Sequence, residues 1–211
     1  MSVRFSAEEL ARLKDLLLIY EWGQRTLLTR LNIIHEDQKN FQSNNSIEYI
    51  KNRIKSPGSI ASKLQKMNLE ITADNARKHV TDIVGIRIIC QFAKDIYSTA
   101  NMLKSMADVT VLNEKDYVGN PKPSGYRSYH VTIEMPVCCS ERIEILPIEI
   151  QIRTAAMDFW ATLEHQVKYK YQGHVPQHLS DELIVCADKI IELDNRMFLI
   201  HDIISLINQD S

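Results

Sequence analysis

The chain has 211 residues, 45% hydrophobic and 25% charged, with a formal net charge of −2. That composition fits one globular domain with helical extensions and excludes a disordered chain, and no apolar run approaches the roughly 18 residues of a membrane span. The first residues lack the apolar core of a signal peptide, so a cytoplasmic protein is expected, and a near-neutral balance leaves any phosphate affinity to local clusters of cations.

Ser6-Ala7-Glu8-Glu9 has the form of a capping box, and it predicts a helix start. Leu10, Leu13, Leu17, Tyr20, Gln24, Leu27, Leu31 and Ile34 follow at alternating intervals of three and four, an amphipathic stripe with one polar interruption. The cluster Ser43-Asn44-Asn45-Ser46 is expected to end that helix and to cap a second one running to about Lys55. Pro57-Gly58 should break the second helix, with Ser59 capping a third through Met67. Asp74 is expected to open a short helix before a strand beginning near Ile83, and Asp95 to cap a helix reaching Ala107.

Strands are predicted near Val109–Leu112, Ser128–Met135 and Arg142–Arg153, then a helix from Thr154 to about Tyr171. From Ser180 onward, Leu183, Cys186, Ile190, Leu193, Met197, Ile200, Ile204 and Ile207 repeat the three–four alternation. A second row, Ile184, Ala187, Ile191 and Phe198, widens the stripe beyond a two-stranded seam. Such a helix packs either on partner subunits or as a hairpin with the first helix. The expected fold is α/β (α+β), a mixed sheet with an antiparallel component. Its divisions are a helical extension over 1–45, a core over 46–172 and a C-terminal oligomerisation helix over 173–211.

The four cysteines, Cys90, Cys138, Cys139 and Cys186, have no Cys-x-x-Cys spacing. Neither a structural zinc site nor a disulfide framework is expected. Cys90 continues an apolar strand and should be core, whereas Cys138-Cys139 should be exposed or half-buried thiols.

The chemistry concentrates in three segments. Ile148-Glu149-Ile150-Gln151-Ile152-Arg153-Thr154 alternates, so Glu149, Gln151 and Arg153 share one strand face and the isoleucines share the other. Thr81-Asp82-Ile83-Val84-Gly85-Ile86-Arg87-Ile88 is a second apolar strand with a carboxylate before it. Two strand carboxylates suit a magnesium–nucleotide site, because the hard cation takes oxygen ligands and bridges phosphates. Between them, Lys122-Pro123-Ser124-Gly125-Tyr126-Arg127-Ser128-Tyr129-His130 is dense in cations and rings. Upstream, Arg53, Lys55, Ser59 and Lys63 surround a helix start, whose free N–H groups and positive dipole end favour phosphate.

These motifs in this order resemble the synthetase domain of the RelA/SpoT proteins, and the short length resembles a small alarmone synthetase. The resemblance runs from about Ser46 to Tyr171 and implies a nucleotidyltransferase-like core. It also implies transfer of the β,γ-pyrophosphate of ATP to the 3′-hydroxyl of GDP or GTP, with Mg²⁺ as cofactor and a homotetrameric assembly. It places ATP against Arg53, Lys55, Ser59, Lys63 and Arg87, with adenine between the two arginine planes. Asp82 becomes the principal metal ligand, and Glu149 a metal ligand, a proton acceptor or both.

The resemblance stacks the acceptor guanine on Tyr126, with Lys115 and Lys122 toward its phosphates and Gln151 beside it. Arg127 and His130 are phosphate contacts or loop buttresses. Ser124 and Asp158 stand where relatives have asparagine; the Asp158 carboxylate is expected to accept from guanine N1–H and N2–H, with Glu164 also facing the base. Trp160 and the His201-Asp202 dipeptide are read as core and as surface or interface. Two alternatives stay open: a tRNA-pyrophosphorylating relative, which would call for an extended basic surface that the charge does not suggest, and a non-catalytic nucleotide- or RNA-binding regulator, RNA binding being open but not indicated. Arg53-Ile54-Lys55-Ser56, Ala156-Met157-Asp158-Phe159-Trp160 and Val175-Pro176 look most like the RelP subgroup, which is not associated with activation by pppGpp.

Overall fold

The computed structural model describes residues 4–41, 46–171 and 174–209. Ser6 opens α1 (Ala7–Phe41), with the Glu9 amide donating to its Oγ at 3.2 Å. The Glu9 carboxylate does not complete a capping box; it accepts from the Ala73 amide at 2.6 Å. That bond ties α1 to the start of α3 (Ala73–His79). Leu13, Leu16, Tyr20, Leu27 and Leu31 form the buried stripe of α1. At Gly23 the helix crosses the sheet so closely that a Cβ would come within 2.9 Å of Leu146 Cδ1. The Ser43-Asn44-Asn45 cluster expected to end α1 lies outside the described residues.

The segment expected as a second helix is a strand, β1 (Ile47–Ile54). Ile47, Ile50 and Ile54 sit at helical spacing, but the β-branched residues pair instead with β2 (Val84–Cys90), and tertiary pairing overrides the local pattern. Pro57-Gly58 likewise opens a helix rather than breaking one. Proline at the first position of α2 (Pro57–Lys66) has no N–H to leave unpaired, and Ser56, not Ser59, is the cap, its Oγ accepting from the Ser59 amide at 3.3 Å.

Thr72 rather than Asp74 caps α3, accepting from the Asn75 amide at 3.2 Å. Asp95 lies inside the first turn of α4 (Ala93–Lys104) and reaches back to the Phe92 amide at 3.1 Å. The remaining elements are β3 (Thr110–Asp116), β4 (Tyr129–Cys138), β5 (Ile143–Thr154), α5 (Ala155–Lys170) and α6 (Gln177–Gln209).

Among the described residues, five strands order as β1-β2-β5-β4-β3, with the β2–β5 pair parallel and the other pairs antiparallel. One face is apolar: Ile86, Ile88, Ile133, Ile148, Ile150 and Ile152 join α1 and α4 in a single core. The other face is polar and carries the site. Cys90 is core, while Cys138 is exposed and Cys139 half-buried, as the sequence suggested.

α6 packs along α5 through Trp160, Ala161 and Ala187, with Trp160 Nε1 donating to the Leu183 carbonyl at 2.8 Å. Farther on, Phe198 and His201 contact the Phe92 ring at the start of α4. Among the described residues, α6 packs chiefly on α5 and forms no closely packed hairpin with α1. Among the described residues no helix is long and apolar enough to cross a membrane.

Candidate active site

Strand register builds the site. Arg53 on β1 lies opposite Gly85 on β2, which lies opposite Glu149 on β5 and then Thr132 on β4. One step along, Lys51, Arg87, Gln151, His130 and Lys115 form a second row across all five strands. The twofold alternation of each strand puts both rows on the polar face. Gly85 leaves room for the Arg53 side chain to lie over β2, its Cγ and Nε each 3.5 Å from where a Cβ would stand. A cleft of about 250 Å³ runs along these rows, lined by Lys51, Arg53, Gly85, Arg87, Glu149 and Gln151. A second compartment of about 410 Å³ shares Arg53, Arg87 and Gln151 with it and adds Tyr126, Arg153 and Glu164.

At one end, Asp82 stands just before β2, beside the N-terminus of α2. Its Oδ2 accepts from Lys55 Nζ at 2.6 Å and its Oδ1 from Lys63 Nζ at 2.8 Å. Burial alone would raise this carboxyl, but the two ammonium groups outweigh it and hold the pKa below the ordinary value. Ser59, Lys55, Lys63 and Asp82 line one open groove.

At the other end stands Tyr126. Its hydroxyl accepts from Arg153 Nη2 at 2.7 Å and lies 2.8 Å from His130 Nε2. Lys122 Nζ sits over both the Tyr117 and Tyr126 rings, at 4.6 and 4.9 Å from their centroids. Burial, then the cations Arg153, Lys122, Lys115 and Arg87, push His130 down to about 4. The imidazole is therefore neutral at pH 7, with Nδ1 3.8 Å from Glu149 Oε1. The loop before Tyr126 turns through Gly125, whose φ of 86° favours glycine.

Asp158 and Arg127 do not line the two compartments of the cleft. Asp158 is only 3% exposed, and its oxygens are taken by Lys51, Arg87 and Arg153. With no open edge it has no room to accept from a base. Arg127 turns away from the cleft: its Nη1 donates to the Val118 carbonyl at 2.8 Å, and the side chain lies near Met157 and Trp160 under α6. That placement matches the loop-buttress alternative for Arg127. Glu164 does line the Tyr126 compartment, paired with Lys168. Trp160 is core, as expected.

Sequence reasoning missed Lys51 and Arg153. Lys51 was hidden by reading its strand as a helix, whereas Arg153 was already visible in the alternation with Glu149 and Gln151.

Among the described residues no cluster of three or more His, Cys, Asp or Glu side chains forms a protein-only metal cage. Asp82 and Glu149 are each partly exposed, and their carboxylates are of the kind that hold Mg²⁺ at phosphate sites. There one or two carboxylates hold the ion, and phosphate oxygens and water complete its shell.

Residues 52–174 match the family described as the region found in RelA / SpoT proteins. The GTP pyrophosphokinase YwaC of Bacillus subtilis (strain 168) is 45% identical over 184 residues, spanning 87% of this chain and 88% of that protein. The crystal structure of small alarmone synthetase 2 from Bacillus subtilis is similar at 43% identity and a TM-score of 0.81, covering 90% of this chain and 97% of that one. Small alarmone synthetase 1 from the same organism, bound to its product pppGpp, is similar at 32% identity and a TM-score of 0.85, covering 92% and 99%.

Proposed function

The chain belongs to the RelA/SpoT family, and from that premise and its site we propose that it is a (p)ppGpp synthetase. It transfers the β,γ-pyrophosphate of ATP to the 3′-hydroxyl of GDP or GTP and releases AMP. The observation that carries this reading is the register. It aligns Arg53, Glu149, Arg87, Gln151 and His130 on one polar face, between a Lys55–Asp82–Lys63 cluster and the Tyr126 ring.

Phosphates of ATP lie over the start of α2, where Lys55 and Lys63 neutralise them and Ser59 lies in the first turn. Adenine stacks between the Arg53 and Arg87 planes, a geometry that lysine could not reproduce. The acceptor guanine stacks on Tyr126 and displaces the Lys122 ammonium from the ring, which frees it, with Lys115, for the acceptor's phosphates. Gln151 and Glu164 flank the acceptor, and Glu149 orients its 3′-hydroxyl and takes its proton. Magnesium, held by Asp82 and Glu149 when bound, supplies positive charge that offsets the charge developing on the transferred group. Alignment of the hydroxyl with the ATP β-phosphorus and fixed cations do the rest, since little other chemistry is asked of the protein.

The apolar outer face of α6, where Leu193 and Ile200 are 58% and 51% exposed, supports an oligomer in which that face is covered; we read it as a homotetramer, and light scattering on the purified protein tests the number of subunits. The RelP-type reading rests on the segments quoted above, and a rate unchanged by added pppGpp supports it. We read the protein as cytoplasmic, where ATP and guanine nucleotides are at hand as substrates.

The decisive test is purified protein with Mg²⁺, labelled ATP and GDP or GTP. Formation of ppGpp or pppGpp together with AMP, lost in Glu149→Gln, is the expected result. A folded protein that makes neither product with either acceptor would overturn the reading.

A further inference from the structure

The buried carboxylate of Asp158 has more cationic partners than any other acid of the polar face. Its Oδ1 accepts from Arg87 Nη1 at 2.8 Å and Arg153 Nη1 at 3.3 Å, and its Oδ2 from Lys51 Nζ at 3.0 Å. An uncompensated charge so enclosed would be very costly, so the three cations and the carboxylate hold one another in place. Asp158 also sits in the first turn of α5, which Thr154 caps by accepting from the Met157 amide at 3.2 Å. A helix start favours a negative charge there and fixes the carboxylate to a rigid element.

What the carboxylate holds is more telling than its own burial. Arg87 has no other side-chain hydrogen bond among the described residues, and its Nε is buried without a partner. Its guanidinium plane therefore depends on Asp158. Arg153 continues the chain on the acceptor side, donating to the Tyr126 hydroxyl at 2.7 Å and to Gln151 Oε1 at 2.6 Å. Its guanidinium carbon lies 5.2 Å from the centroid of the Tyr126 ring. Arg87 lines both compartments of the cleft, whereas Arg153 and Tyr126 line only the second.

We propose that Asp158 is a positioning residue that fixes Arg87 for the ATP base and Arg153–Tyr126 for the acceptor base at once, setting the two nucleotides in a common frame without touching either. This rests on the pyrophosphate-transfer reading and refines it, since two substrates must be mutually aligned for an in-line transfer. A carboxylate that instead recognised guanine would need a free edge toward the base, and both oxygens of Asp158 are engaged.

The test is Asp158→Asn, which keeps the shape and removes the charge, with Asp158→Glu, which keeps the charge and shifts its reach. KM is measured for ATP and for the acceptor, with GDP and inosine diphosphate compared as acceptors. Both KM values should rise about tenfold, as for loss of a charge-assisted bond, while the preference for GDP over inosine diphosphate stays that of the wild type. A rise in the acceptor KM alone, with that preference lost, would mean that Asp158 reads guanine directly and would overturn the proposal. Unchanged KM values for both substrates in a folded variant would overturn it too.

Should Asp158→Asn fail to fold, Asp158→Glu is held to the same pattern. Binding of fluorescent ATP and GDP analogues, each titrated separately, gives the same comparison without turnover. A wild type that binds both nucleotides but makes no product refutes the transfer reading while leaving the positioning role to be judged by binding.

Discussion

Gly125→Ala offers a test in which the structure supplies the magnitude. Gly125 adopts a φ of 86°, and a Cβ built there would meet the Ala187 Cβ of α6 at 2.7 Å, with Trp160 Cζ2 at 3.5 Å. The left-handed conformation costs an alanine roughly 1–2 kcal/mol. Forcing a methyl into the packed contact adds about 1–3 kcal/mol, and stiffening the unfolded chain returns about 0.4–1 kcal/mol. The net loss should be about 2–4 kcal/mol, read as a lower urea midpoint at unchanged slope.

Ala187→Gly alone should cost about 2 kcal/mol, from a lost buried methyl and lower helix propensity. The double variant should be less destabilised than the two together by about 1–3 kcal/mol, because the overlap disappears while the backbone strain stays. In turnover, Gly125→Ala should raise the KM for the acceptor and leave that for ATP in place. Tyr126 adjoins the turn, whereas the groups proposed for ATP stand on or beside β1, α2 and β2. Additive stabilities within about 0.5 kcal/mol, or an equal rise in both KM values, would refute the view that α6 seats the acceptor loop through this contact.

Three further outcomes follow from the site and core. Asp82→Asn should leave Lys55 and Lys63 without their anion and cut turnover by about 10²–10³-fold; Mn²⁺ binding in the presence of ATP, followed by electron paramagnetic resonance, should weaken in parallel. Tyr126→Leu should weaken acceptor binding by about 1–3 kcal/mol, the worth of a base stacked on a ring, with ATP affinity retained in separate titrations. Burial pushes the Cys90 thiol up to about 12 from 9.0. A raised folded value means the neutral thiol favours the folded state, so this contribution is whole below pH 9 and is lost as pH rises from 9 through 12. Urea midpoints across that range should fall more steeply for the wild type than for Cys90→Ala, and Cys90 should react with a thiol reagent only after unfolding, well after exposed Cys138.

The three motifs were legible in sequence because their chemistry rides on local periodicity. Glu149, Gln151 and Arg153 had to share a face once the isoleucines between them were recognised as a strand interior. The cations around Pro57 stood where a helix start was expected. The misread elements failed for an equally physical reason. Residues 47–54 carry isoleucines at helical spacing, yet pairing with β2 decided for strand, which also kept Lys51 out of the expected site. Pro57-Gly58 obeys the same chemistry at a helix start as at a break, and only its neighbours tell the two apart.

The sequence by itself determined which charged and aromatic residue types share a strand face or surround a helix start, since alternation and turn chemistry act between neighbours in the chain. Only the tertiary structure decided which of them share a pocket and which support it. Asp158 and Arg127 look like ligands when read alone. In the fold, Asp158 is enclosed by cations from β1, β2 and β5, and Arg127 is turned under α6. Such partners are brought together by strand register and helix docking, and no spacing along the chain records them.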